Sequence, residues 1–232
     1  MRREMTNRIR FVLEDIVPPA LRDSGLFRAA ASVAWGGHVA DLARFRERAA
    51  FLTHEEYEAL YRKHPRVHED TDNSDACIAA ITADIAGTGV IDVGCGTGAL
   101  LRQVREARTD LGALVGVDFV IDPALKDEGI QYFAAKVEAL PFPDQAFDTV
   151  ICTHVIEHIV DYRAAIAELR RVARRRLILV VPREREYRYT FNPHVNFFPY
   201  AHSFLRAVMP VPESYYIRDI GRDIYYREDI AP

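Results

Sequence analysis

Cysteine is scarce in this sequence, and so is every feature that would carry the chain out of the cytoplasm. The three cysteines among 232 residues, Cys77, Cys95 and Cys152, are odd in number and lack metal-ligand spacing. A disulfide framework does not fit them, and reduced thiols in a cytoplasmic protein are expected. Long hydrophobic runs are missing as well: nothing approaches the ~20 apolar residues that span a bilayer. The opening MRREMTNRIR is basic, but no apolar segment follows it, so neither a secretory signal nor a membrane partner is expected. Net positive charge is also absent. At −4 at pH 7 the chain lacks the footprint of a protein that lives on a nucleic-acid backbone. Its one dense basic run, Arg170-Arg171 with Arg174-Arg175-Arg176, reads as a helix end that complements the helix dipole and faces water. Repeats and low-complexity segments do not occur.

What is present is the material of a globular domain: 49% hydrophobic and 28% charged residues, enough for a sizeable core. The length suits one α/β domain with an added segment. Residues 1–75 read as helical and predict an N-terminal cap, closing as a lid. Pro18-Pro19 and Gly36-Gly37 break it, and LTHEEYEALYRKHP forms an amphipathic helix ended by Pro65. HEDTDNSD is a polar joint able to cap a helix from Asp75. Over 76–232 strands and helices alternate. Apolar runs at Val90–Val93, Ala113–Val117, Ile130–Ala134, Phe147–Cys152 and Leu177–Val181 are separated by helical stretches such as ALLRQVREAR and DYRAAIAELRRVARR. That alternation predicts an α/β fold with a doubly wound parallel sheet. SYYIRDI and IYYREDI flank Gly221-Arg222-Asp223 and predict a terminal antiparallel hairpin.

Two constellations carry chemistry. In VIDVGCGTGAL a buried strand runs into Gly94, Gly96 and Gly98 ahead of a helix. Such a turn lets a ligand approach the backbone and points N–H groups at it. The next strand ends in Asp118, an acid placed to grip both ribose hydroxyls. The second constellation is THVIEH, directly after Phe147–Cys152. If it turns helical, His154, Glu157 and His158 share one helix face, where they can bind a metal, move protons, or merely cap and pack. In an open α/β sheet this loop lies at the carboxyl end, where substrates meet cofactors.

DVGCGTG and ALPFPDQAFDTVICTHVIEH resemble the class I S-adenosylmethionine (SAM) methyltransferases over residues 75–181, and the hairpin resembles that family's antiparallel addition. The resemblance implies a Rossmann-like, mostly parallel seven-stranded sheet. It implies that Asp92, Gly94, Cys95, Gly96, Gly98 and Thr153 bind the cofactor, with the Gly94 and Cys95 region at the methionine part, Asp118 at the ribose and Phe119 against the adenine. Where the family often has an acid near the adenine, this chain has Lys136, so the Val137 backbone and Glu138 are the expected contacts. Tyr57 and Tyr61 are expected in the lid, and Arg66 at the cofactor carboxylate.

The His-x-x-Glu-His pattern is similar to the Glu-x-x-Glu-His metal site of small-RNA 2′-O-methyltransferases and ubiquinone-pathway O-methyltransferases, with His154 replacing the first Glu. The small-RNA enzymes complete that site with a further histidine, and NPHVNFF offers His194; His202 is the rival, within a helix-like segment. The resemblance implies magnesium, while three nitrogens also suit manganese, cobalt or zinc. Without metal, His154 is the expected general base. Tyr187, Tyr189, Phe191, Phe197, Phe198 and Tyr200 are read as packing residues in part and as an acceptor wall in part. The expected activity is metal-assisted O-methylation of a small polyol, a sugar or saccharide, with no nucleic-acid partner and a homodimer as one expected assembly. RNA ribose 2′-O-methylation and a non-enzymatic SAM-binding regulator are the alternatives.

Overall fold

The computed structural model describes residues 11–35, 45–63, 71–186 and 192–231. The chain divides into two compact units, one of residues 1–69 with 184–199 and the other of 70–183 with 200–232. The segment after the last parallel strand therefore groups with the N-terminal helices.

The described N-terminal part of the first unit is helical: α1 (Pro19–Arg22), α2 (Gly25–Trp35), α3 (Phe45–Ala49) and α4 (His54–Lys63), with a π-turn at Val12–Ile16. Pro19 opens α1 at a position where its missing N–H costs nothing. Thr53 and Glu56 form a reciprocal cap on α4: the Glu56 N–H donates to Thr53 Oγ1 and the Thr53 N–H to Glu56 Oε2. A small core of Phe45 and Ala49 gathers Leu52, Tyr57, Leu60 and Val195. Arg66, Tyr187, Tyr189, Phe191 and the side chain of Tyr61 lie outside the described residues.

The second unit is built on a seven-stranded sheet in the order β3-β2-β1-β4-β5-β7-β6. Its strands are β1 (Val90–Val93), β2 (Leu114–Asp118), β3 (Ile130–Ala134), β4 (Phe147–Thr153), β5 (Ala173–Pro182), β6 (Tyr215–Ile220) and β7 (Asp223–Asp229). Strands β1 to β5 pair in parallel, and the β6–β7 hairpin adds antiparallel to β5 through Gly221-Arg222. This is the doubly wound sheet with a terminal hairpin that the alternation predicts. Strands β1 and β4 are buried on both faces, as covering helices require. The helices are α5 (Asp75–Asp84), α6 (Ala99–Ala107), α7 (Tyr162–Val172) and α8 (Ala201–Ala207). Ser74 caps α5 by accepting from the Cys77 N–H, which is the role the polar joint suggested. Helix α7 buries Ala165, Ile166, Leu169 and Val172 along one stripe. Each Ile or Leu so buried is worth about 1.5–3 kcal/mol.

The basic run follows the expectation only in its first half: Arg170 and Arg171 occupy the last turn of α7. Helix α7 stops at Val172, and Arg174, Arg175 and Arg176 lie in β5. They do not cap a dipole. Arg174 and Arg175 meet Asp148 Oδ1 at 2.8 and 3.2 Å, and Arg176 pairs with Asp229. Arg170 turns inward onto the buried Glu228 of β7 with two hydrogen bonds of 2.6 and 2.7 Å. Arg171 holds Glu168 and Asp144. Carboxylates spread over the surrounding sheet and turns recruit the run, which a one-dimensional pattern could not show.

Strand β1 sits where the winding direction reverses, with β2 on one side and β4 on the other. Open α/β sheets bind ligands at the carboxyl ends of the strands at such a switch point.

Candidate active site

The carboxyl end of β1 turns through three glycines with positive φ: Gly94 at 85°, Gly96 at 58° and Gly98 at 75°. A Cβ on Gly94 would lie 2.0 Å from Val155 Cγ2, and one on Gly98 would lie 2.1 Å from the Tyr132 hydroxyl. Only glycine fits this turn between β1 and α6. The loop's amides, however, serve the loop itself. Gly94 and Cys95 both donate to the Val117 carbonyl (2.7 and 3.0 Å), and Gly98 donates to Cys95. The Gly96 N–H donates to Asp118 Oδ2 at 2.8 Å. These N–H groups do not point at a ligand as the sequence suggested, because so tight a turn consumes them. Asp118 thus braces the loop while a carboxylate keeps further acceptor sites for a diol. Asp92 is buried on β1 and Cys95 beneath the loop, while Phe119 is half-buried. Val137 is buried and Glu138 exposed in the turn closed by the Ala139 N–H on the Lys136 carbonyl (3.1 Å).

At the end of β4 the expected helix does not form. Only a single 3₁₀ turn, Ile156–His158, follows the strand, and His154 stands outside it at φ 55°. The reason is the sheet: the His154 N–H still donates to the Val180 carbonyl of β5 (2.9 Å), so the chain must turn sharply to leave. A β-carbon-bearing residue in the left-handed region is uncommon and clusters at functional sites. The three side chains nevertheless meet. Glu157 Oε1 lies 3.6 Å from His154 Nδ1 and 4.0 Å from His158 Nε2, with the Glu157 side chain 1% exposed. Convergence comes from a strained turn rather than from helical spacing.

Burial lowers the pKa of His154, but the nearby Glu157 carboxylate and the charges of Asp223 and Asp72 outweigh it and leave it raised. Cys152 is pushed far up by burial first and then by Asp92, Glu157 and Asp118. Thr153 is buried and accepts from Asn73 Nδ2 at 2.9 Å. Within the first unit, His194 Nδ1 pairs with the buried Glu184, and Asn192 reaches the same carboxylate. His202 lies in α8 stacked on Tyr200. Phe198 is buried, Phe197 half-buried and Tyr200 exposed, so the aromatic stretch splits between packing and surface.

Asn73, Asp72, Asp223 and Glu184 escaped the sequence reading. Asn73 and Asp72 sit in a segment that reads only as a turn, and Asp223 at a hairpin corner. No local pattern marks a contact made across the fold.

Residues 91–181 match the family model described as a methyltransferase domain. The demethylmenaquinone methyltransferase of Roseiflexus castenholzii is 31% identical over 134 residues, 54% of this chain and 56% of that protein. The malonyl-[acyl-carrier protein] O-methyltransferase of Serratia marcescens is 35% identical over 89 residues, 38% of this chain and 35% of the relative. The chain thus spans about half or less of these curated relatives. Among solved structures, a SAM-dependent methyltransferase of Thermotoga maritima, described as a possible histamine N-methyltransferase, superposes with TM-score 0.54. It is 16% identical, over 66% of this chain and 87% of that one. A SAM-dependent methyltransferase of Aquifex aeolicus gives 0.52 at 14% identity, over 66% and 89%. The second unit shares the Rossmann-like fold of these solved structures, and residues 91–181 are the part that resembles the methyltransferase-domain model.

Proposed function

We propose that this protein is a SAM-dependent methyltransferase that transfers the methyl group to a hydroxyl-bearing small molecule. The observation that carries the acceptor side is Glu157, buried between His154 and His158 at the end of β4 and next to the glycine loop. The cofactor side is supported by the glycine turn and by Asp118, which braces it at the end of β2.

Methyl transfer is an in-line displacement at the sulfonium carbon, and a neutral alcohol is a poor nucleophile. His154, its imidazole polarised by Glu157, is placed to take the hydroxyl proton. In the metal-assisted form of this proposal, His154, Glu157 and His158 would be ligands, and His194 would add a third imidazole. The assignment of His194 rests on its order in the sequence and on Glu184, a carboxylate of the kind that orients ligating histidines. Nitrogen and carboxylate donors fit manganese, cobalt or zinc better than magnesium, whose preference is for oxygen. A bound ion would supply Lewis-acid stabilisation of the deprotonated hydroxyl.

A sugar or other polyol remains the proposed acceptor. The demethylmenaquinone relatives favour a second reading, a ring hydroxyl whose deprotonation activates a ring carbon. RNA is disfavoured by the charge of −4 and by the pairing of all five arginines of the basic run with carboxylates. Metal-stripped protein assayed with sugars, hydroquinones and short RNA tests these readings. Methylation of the sugars restored by added manganese or magnesium supports the proposal. Turnover on hydroquinone alone replaces it with the second reading. SAM binding with no methyl transfer to any acceptor favours a SAM-binding regulator.

A further inference from the structure

We infer that Asn73 recognises the cofactor, its amide oxygen accepting a hydrogen bond from the α-ammonium group of bound SAM; the inference rests on the methyltransferase reading above. Asn73 lies directly before Ser74, the residue that caps α5, and is 5% exposed. Its Nδ2 donates to Thr153 Oγ1 at 2.9 Å and to Thr71 Oγ1 at 3.2 Å. Both amide hydrogens are thereby used. The amide oxygen is buried, and no described residue donates to it. A carbonyl oxygen stripped of water and given nothing in return is costly, and natural structures keep such a group when a ligand supplies the missing donor.

The location of the orphan selects that donor. Thr153 is the last residue of β4, one past Cys152, which pairs with Val93 of β1. Asn73 is therefore held at the β4 side of the Gly94 turn, while Asp118 stands at the end of β2 on the other side. A cofactor whose ribose lies at Asp118 and whose chain runs across β1 brings its amino-acid end to β4. Two polar groups reside at that end. The carboxylate can only accept and would be repelled by an amide oxygen, whereas the ammonium only donates. The hydroxyls of Thr71 and Thr153 fix the amide plane, so the acceptor is aimed before the ligand arrives.

Calorimetry with S-adenosylhomocysteine and with its analogue carrying hydrogen in place of the α-amino group tests this directly. Wild type, Asn73→Leu and Asn73→Asp are compared, with circular dichroism to confirm folding. Asn73→Leu should weaken S-adenosylhomocysteine about tenfold or more, the scale of a hydrogen bond to a charged group, and leave the des-amino analogue unchanged. Asn73→Asp keeps an acceptor and should retain the preference for the amino ligand. Equal weakening of both ligands by Asn73→Leu would show a structural role and overturn the inference. Loss of the amino ligand in Asn73→Asp would show that the amide nitrogen faces the ligand, and also overturns it. Folded wild type that binds neither ligand sinks the methyltransferase reading itself and the inference with it, a result distinct from the other two.

Discussion

The carboxyl ends of β1 and β4 are neighbours in the sheet and are built in opposite ways. At β1 the backbone closes on itself: the amides of Gly94, Cys95 and Gly96 are spent on Val117 and Asp118. At β4 side chains make the site: His154 in a left-handed turn, a buried Glu157, and an Asn73 oxygen with no donor among the described residues. One end is satisfied and rigid before any ligand binds. The other holds strain and unmet hydrogen-bonding capacity, the usual mark of a place where chemistry or binding completes the structure. The ribose end of the cofactor should therefore depend on the first end, and turnover, together with the proposed α-ammonium contact, on the second.

The largest effect that would break this division is at Glu157. Glu157→Gln should lower kcat by about 10²–10⁴, the range for a positioned acid–base group, with SAM affinity little changed. Single-turnover kinetics beside calorimetry checks it; equal losses in both would erase the distinction between the two ends. Asp118→Ala comes next and should act in the opposite column. It removes the ribose contact and frees the Gly96 amide, so SAM binding should weaken by at least about 1.5 kcal/mol. Unchanged affinity in the folded variant would remove Asp118 from the site.

Metal and pH sharpen the acceptor end. If an ion is held there, a chelator should stop turnover while SAM stays bound, and His194→Ala should be severe; full turnover in chelator with a silent His194→Ala leaves His154 as a plain base. In metal-stripped protein the raised His154 pKa sets two opposed trends. Stability from its imidazolium is fully present below the unfolded value near 6.5 and is lost as pH rises through the higher folded value. A base must be neutral, so kcat should climb across the same window. Thermal melts and rates measured together from about pH 6 to 9 would show whether the trends cross. The smallest effect is expected at the opposite ends of the strands. Arg175 is 62% exposed on Asp148, and Arg175→Ala should change stability by no more than about 1 kcal/mol and leave kcat alone.

The residues that were legible and those that were not differ in a consistent physical way. Glycines before a helix, an acid closing the next strand, and apolar runs alternating with amphipathic stripes are local properties, and each was found where the pattern placed it. THVIEH was legible as composition but not as shape. Helical spacing would have joined His154, Glu157 and His158, yet the pull of β5 on the His154 amide produced a 3₁₀ turn that joins them differently. The arginine run was legible only in part for a related reason: Arg170 and Arg171 end the helix as expected, but β5 begins at Ala173 and takes the other three.

The sequence by itself determined the doubly wound sheet, its terminal hairpin and the glycine turn, because these follow from periodicities and from backbone angles that only glycine adopts cheaply. Tertiary structure alone decided which carboxylates take up the arginines, that Asp118 is a brace as well as a ligand candidate, and that Asn73 lies against Thr153. Those contacts join residues far apart in the chain, and their energies depend on burial and on what else occupies the same space. No run of neighbouring residues encodes either quantity.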